Sequence, residues 1–359
     1  SQRRGIVLAK SFPCKKKGVI TGESIYSARR KCPYLEVYKP SYEVYRKYSN
    51  LMYNYLCTYS NIIERYSIDE CFLDYTNSQK LFGDPVKVAY KIKSDIKRMF
   101  GFTVNVGVGN NKLLAKMASD FSKPDKVHTL FSYEVEKKMW PLDVADLFMI
   151  GKSSAKRLKE LNINTIYDLA HSDINYLTKY FKSMGKMMWE YANGIDESAV
   201  EYKKRDAKSI SSSTVLPYNY TNKDDIYKVF KMLSMDVGRK LRDKKLYAYK
   251  VGIWIKYADF VKVSKQNKLK NCINTDEDIY KSAVMLFDLL WNNEKVRALC
   301  VDISDFTAHS EVQLDIFNAN NQSILKNDDK KLQGIMDSIR SKYGNSAIGY
   351  ADSIKSNRK

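Results

Sequence analysis

The chain has 359 residues, with 61 lysines and arginines against 41 aspartates and glutamates, a formal charge of +20. That length suggests roughly two to four domains, 44% hydrophobic residues suffice for their cores, and 28% charged with 13% aromatic residues excludes global disorder. No apolar run approaches the ~20 residues of a membrane helix, and the cationic surplus points to a polyanion, most often nucleic acid, with a plain solvated lysine-rich surface as the alternative.

In chain order, residues 5–9 read as a short buried strand, followed by the basic turn Lys15–Val19. Residues 23–30 read as a helix stopped before Pro33. Apolar positions at Val44, Tyr48, Leu51, Met52 and Tyr55 predict a helix over 42–59. Two strand-like runs, 62–68 and 71–75, meet at Asp69-Glu70. Helices are expected at 86–100 and 112–121, with a strand at 102–108 between them. Residues 134–193 show only helical patterns. The charged, aperiodic stretch 197–206 reads as a linker. Strands return at 209–216, 248–257 and 298–306, separated by helices at 224–240 and 276–291. From Ala308 the chain is rich in Asn, Ser, Asp and Lys, with one apolar interruption at 314–317. The pattern predicts an α+β multidomain chain with a helical segment between two α+β parts.

The six cysteines are scattered without a Cys-x-x-Cys, and the histidines are His128, His171 and His309. That argues against structural zinc, a disulfide framework and a histidine-assisted nucleophile. Reduced thiols suit a cytoplasmic location. The opening Ser-Gln-Arg-Arg does not read as a secretory leader. The most informative segment is Tyr66-Ser67-Ile68-Asp69-Glu70-Cys71-Phe72-Leu73-Asp74. Its acids run straight into Cys71-Phe72-Leu73 rather than into a glycine or asparagine, so they are expected at a strand edge facing a cleft. Clustered hard oxygens suit Mg²⁺, which keeps waters and borrows substrate phosphate oxygens. A solvated acidic turn is the competing reading.

Ser67 to Asp74 resembles the signature of the Y-family translesion DNA polymerases, the impB/mucB/samB group. Three further segments follow in that family's order: Arg3–Val19, Val106–Pro124, and Ile150–Leu158. The resemblance implies a right-hand polymerase with fingers (1–41), palm (42–131), a helical thumb with a helix-hairpin-helix (132–196), a linker (197–207), an α+β little finger (208–307) and a flexible tail (308–359). It implies template-directed DNA synthesis across damaged DNA by two-metal nucleotidyl transfer. Its partners are primer-template DNA and deoxynucleoside triphosphates, with no membrane. Asp69 and Glu70 match the acids that bind catalytic Mg²⁺. Lys123 matches the triphosphate-contacting lysine, and Lys15 stands where the fingers have an arginine. Phe12 stands where tyrosine is usual and has no hydroxyl to donate, a role Ser11 could partly take.

Gly151, Lys152, Lys156 and Arg157 fall in the helix-hairpin-helix expected to grip duplex backbone, and Met149 stands where that motif usually has glycine. Lys250, Lys256, Lys262 and Lys265 are the little-finger cations expected near the backbone. Gln313, Leu314 and Phe317 resemble the peptide that docks on the bacterial sliding clamp. The family's first aspartate and its aromatic steric gate cannot be placed, so a preceding catalytic strand is expected to be absent from this sequence. A non-catalytic DNA- and clamp-binding protein on the same scaffold is the main rival, and a metal nuclease a third possibility.

Overall fold

Residues 5–203, 206–308, 333–340, 342–344 and 347–348 are described by a computed structural model. The chain divides into one unit of Tyr38–Arg205 and another of Ser1–Val37 with Asp206–Lys359. Among the described residues no helix is long and apolar enough to cross a membrane.

The segment before residue 38 holds two short helices, α1 (Phe12–Lys16) and α2 (Ile25–Lys31). Residues 5–9 form no strand, only a bridge between Ile6 and Ser24. The reason is local: Val7 is buried in a small cluster with Val19 and Ala28, while Ile6 and Leu8 are exposed, so no long buried run exists. Glu23 ties this segment together, accepting from Ile20 N at 2.7 Å, Ser27 Oγ at 2.7 Å and Lys31 Nζ at 2.8 Å. The Lys31 contact leads in pulling its carboxyl down to about 2.

The unit from residue 38 begins with α3 (Tyr42–Leu56), then the hairpin of β1 (Ile63–Arg65) and β2 (Cys71–Leu73). After α4 (Gln79–Phe82), α5 (Pro85–Phe100) starts on Asp84, whose side chain caps Lys87 N, and stops at Gly101 in the left-handed region. Its face of Val88, Ile92 and Ile96 packs against Met52, Cys71, Leu73 and Val106. The strand β3 (Val106–Gly109), the helix α6 (Lys112–Asp120) and the strand β4 (Val127–Leu130) follow, and β3 and β4 pair in parallel. The β4 strand was not anticipated. Among the described residues no strand joins the β1–β2 pair to the β3–β4 pair. The rest is helical, as the pattern predicted: α7 (Val135–Lys138), α8 (Lys152–Glu160), α9 (Ile166–Ala170), α10 (Ile174–Phe181) and α11 (Ser183–Ala192). These close over Leu113, Leu114 and Met117 of α6.

Residues 209–307 form one antiparallel sheet with two helices: β5 (Ser209–Tyr220), α12 (Lys223–Asp243), β6 (Tyr247–Tyr257), β7 (Lys262–Ile273), α13 (Asp276–Leu290) and β8 (Val296–Thr307), in strand order β5-β8-β6-β7. Val251, Ile253 and Ile255 of β6 meet Phe230 and Leu233 of α12 and Leu286 and Phe287 of α13 in the core. Within the tail expected to be flexible, residues 333–340 are helical, with Gln333, Met336 and Arg340 buried. Arg242 explains the departure. Its Nε donates to Asp337 Oδ2 at 2.6 Å and its Nη1 to Asp276 Oδ1 at 2.9 Å, so the helix is anchored by charge as well as by Met336.

Candidate active site

The β1–β2 hairpin carries the two acids, but not on a strand edge as expected. They lie in the connecting loop 66–70, where Tyr66 N and Ser67 N both donate to Glu70 O, at 3.0 and 3.1 Å. The strands on either side pair from Ile63 with Leu73 to Arg65 with Cys71, where the ladder ends. Asp69 is exposed and Glu70 half-buried. Ser67 Oγ donates to Asp69 Oδ1 at 2.6 Å. The other oxygen of each carboxylate takes no hydrogen bond among the described residues.

A helix brings the cations. Gly107 and Gly109 let α6 lie directly on β3: a Cβ at Gly107 would stand 1.9 Å from Ala115 O, and one at Gly109 2.7 Å from Ala115 N. With the helix seated there, Lys112 and Lys116, one turn apart, reach the β1–β2 hairpin. Lys112 Nζ meets Glu64 Oε2 at 2.7 Å, and Lys116 Nζ meets Glu70 Oε1 at 2.5 Å. Lys116 also contacts Asp120 Oδ2 at 3.2 Å, and Asp120 Oδ1 holds Lys123 Nζ at 2.7 Å. The result is an alternating chain, Glu70–Lys116–Asp120–Lys123. Burial works against the Lys116 ammonium, but its two carboxylates outweigh it and its pKa is raised. Burial likewise pushes Asp120 up, and Lys123 and Lys116 hold it below the usual carboxylate range.

The loop carrying Lys123 is itself fixed. Asn105 Nδ2 donates to Ser119 O and Ser122 O, at 3.0 and 2.7 Å. Lys93 and Lys97 both reach Asp125, each at 2.9 Å. Glu64 accepts from Glu201 N at 2.9 Å, and Asp196 Oδ2 accepts from Leu113 N at 3.1 Å, so the stretch read as a linker begins anchored to β1 and α6. Lys112, Lys116 and Asp120 were not singled out in the sequence, although their i, i+4 spacing ahead of Lys123 is the signal for one charged helix face.

The structure thus brings Glu70 and Lys123 into one ionic chain. Ser11, Phe12 and Lys15 lie in the other unit. Ser11 caps α1 without a side-chain cap bond, and Phe12 and Lys15 are exposed. In the helical hairpin, Gly151 caps α8, leaving its first amides without a side-chain acceptor. Lys152 and Lys156 are exposed there, and the Arg157 guanidinium lies 5.6 Å from the Tyr180 ring. Met149 sits at φ 72, the left-handed region that favours glycine. On β6, Lys250 and Lys256 point away from the core with Trp254, and Lys262 stands 4.3 Å over the Trp254 ring. Lys265 is paired with the core residue Ile253, so it belongs to the opposite face. Gln313, Leu314 and Phe317 lie outside the described residues.

The profile of the impB/mucB/samB family matches residues 1–120, and that of the same family's C-terminal domain matches 207–316. The chain belongs to this family. It is 45% identical over 346 residues to DNA polymerase IV of Clostridium acetobutylicum, covering 96% of this chain and 86% of that one. It is 32% identical to DNA polymerase IV 1 of Bacillus subtilis, covering 99% and 85%. Among solved structures, a Y-family DNA polymerase chimera of Dbh and Dpo4 aligns with a TM-score of 0.76 at 27% identity, over 86% of this chain and 90% of that one. An insertion ternary complex of Dbh DNA polymerase aligns at 0.55 and 28%, with the same coverage. The mixed α+β polymerase fold expected from the resemblance is therefore borne out.

The donor set near Asp69 fits one Mg²⁺. Two neighbouring carboxylates, each with an oxygen to spare, match an ion that completes its shell with water and phosphate. Among the described residues no group of three or more His, Cys, Asp or Glu could hold a metal. A second ion would need a further ligand.

Proposed function

We propose that the chain performs template-directed DNA synthesis across damaged template in the cytoplasm, adding deoxynucleotides from their triphosphates to a primer 3′ end. The observation that carries this reading is the acidic loop of Asp69 and Glu70 joined through Lys116 and Asp120 to Lys123, in a chain of this family. Asp69 and Glu70 hold Mg²⁺, which when bound lowers the pKa of the primer hydroxyl and offsets charge on the phosphates. Lys123 takes the triphosphate as a point charge, and Lys15 does the same from the fingers. Phe12 has no hydroxyl, so that contact passes to Ser11. The domains are fingers 1–41, palm 42–131, thumb 132–196, linker 197–207 and little finger 208–307. Gly151, Lys152, Lys156 and Arg157 position the duplex through its phosphates, helped by the free amides of α8. The lysines around Trp254 follow the backbone without reading sequence. Gln313, Leu314 and Phe317 dock on the sliding clamp.

A rival reading has one observation in its favour: among the described residues no group of three or more His, Cys, Asp or Glu could hold a metal. On that view the chain is a non-catalytic DNA- and clamp-binding protein. Primer extension with Mg²⁺ separates the two. Synthesis is expected, with a loss of roughly 10²-fold or more on Asp69→Ala. No synthesis gives the rival its case, and undiminished synthesis by Asp69→Ala removes the metal assignment.

A further inference from the structure

The chain Glu70–Lys116–Asp120–Lys123 joins two ends of the site that have different ligands. On the function proposed above, Glu70 would hold the cation and Lys123 the triphosphate. Between them, Lys116 has only 15% of its side chain exposed and contacts both Glu70 and Asp120. Its position is not adaptable, because α6 is seated on β3 at Gly107 and Gly109, where any Cβ would strike Ala115 backbone atoms. The ammonium is thus held against the carboxylate expected to bind metal, in a site partly screened from water.

We propose that Lys116 is a built-in counter-cation of this site: a positioning residue that competes with the divalent ion for Glu70 and, through Asp120, couples that competition to Lys123. This rests on the reading of Asp69 and Glu70 as metal ligands. Without the divalent ion, Lys116 neutralises Glu70 and lessens the repulsion between the two acids. When Glu70 is engaged elsewhere, the same ammonium is left to Asp120, which loosens its hold on Lys123 and frees that cation for phosphate. One fixed positive charge therefore weakens metal binding and strengthens triphosphate binding. A residue with a purely structural role would not shift the two affinities in opposite directions.

The test uses the full chain without DNA. Mn²⁺ binding is read by the electron paramagnetic resonance of free Mn²⁺, and inorganic tripolyphosphate binding by calorimetry in the absence of metal. Removing a unit charge beside a divalent site in a medium of intermediate dielectric is worth about tenfold. Lys116→Gln is expected to bind Mn²⁺ about tenfold more tightly and tripolyphosphate several-fold more weakly. Lys116→Arg keeps the charge and is expected to match the parent in both, with circular dichroism confirming that both variants fold. Unchanged or weaker Mn²⁺ binding by Lys116→Gln overturns the proposal, as does a matching change in Lys116→Arg. Asp69→Asn distinguishes the two levels. If it loses Mn²⁺ while Lys116→Gln equals the parent, only the counter-cation role falls. If Asp69→Asn binds Mn²⁺ as the parent does, the metal reading falls and the proposal with it.

Discussion

The four-stranded sheet of residues 209–307 and the strand pairs around Asp69 contain the same kinds of element, yet different forces hold them. In the sheet, β6 and β8 are flanked on both sides, and Val251, Ile253, Ile255, Val301 and Ile303 are buried beneath α12 and α13. Around the site, β1, β2, β3 and β4 are three or four residues long, and most of their residues are half-buried. There, Lys112 to Glu64 and Lys116 to Glu70 tie α6 to the hairpin. Apolar burial has no substitute partner in water, so it suits a scaffold. An ion pair can exchange its partner for a ligand ion, so it suits a site that must let ligands in and out.

The strongest way to break the comparison is to open the apolar core. Phe230 of α12 is fully buried, its ring 5.4 Å from that of Phe287 on α13. Phe230→Ala is expected to cost about 3–5 kcal/mol, read by denaturant melts of fluorescence, while Mn²⁺ binding at folded concentrations stays intact. Loss of metal binding by the folded variant would mean that the two regions are not independent. A smaller change strikes the other side. Gly107→Ala puts a methyl against the α6 backbone, and about 1–3 kcal/mol of overpacking is expected. The helix must shift, so both lysine bridges are expected to weaken and the Mn²⁺ affinity to change. A variant with native metal affinity would show that the lysines reach their acids without that close seat.

How far the sequence carried this differs between the regions for the same reason. The central strands β6 and β8 were legible because alternating or continuous apolar residues mark them. The edge strand β7 was missed, since Lys262, Lys265, Lys268 and Lys270 are exposed and leave little periodicity. β4 was missed because Val127–Leu130 is only four residues long and pairs with a strand distant in sequence. Asp69 and Glu70 were found through their motif, but their place in a loop was not, because a two-residue acidic step does not fix which residue ends the strand. Lys116 was passed over since nothing in a lysine's own neighbourhood says which carboxylate a distant hairpin will bring to it.

The helical hairpin lies in the same unit as the site, yet its weak point is backbone rather than charge. Met149 holds φ 72 with its side chain half exposed, so it meets the steric cost of the left-handed region and gains little burial. Met149→Gly is expected to stabilise the chain by roughly 0.5–1 kcal/mol, after allowing for glycine's freer unfolded state. Thermal melts measure this. It is also expected to tighten duplex DNA binding modestly, because a glycine there lets a phosphate approach. Destabilisation would show that the Met149 side chain supports the hairpin.

The smallest expected effect is also the most discriminating, because acid should act on the two regions with opposite sign. In the site-bearing unit, Asp95 is pulled well below the usual carboxylate range by Arg98, then Lys91 and Tyr55, and Lys97 and Lys93 do the same to Asp125. Asp120 is held low as well. A depressed pKa means the folded state binds the proton less tightly than the unfolded one. Their contribution is present above the ordinary carboxylate pKa of about 4 and is lost as pH falls through the folded values. In the sheet domain, burial raises Asp276 at the start of α13 and Asp302 on β8, so protonation removes a cost there and stability rises as pH falls through their folded values. Asp236 is lowered and runs against this, a partial offset within the same sheet domain. Hydrogen exchange of the full chain at pH 7 and pH 3.5, corrected for intrinsic rates, is therefore expected to show α5 and α6 losing protection before α12, α13 and β6. If α12 and β6 open first, ion pairs are not what distinguishes the two regions, and the short strands around Asp69 owe their stability to the apolar contacts of Ile92 and Ile96 instead.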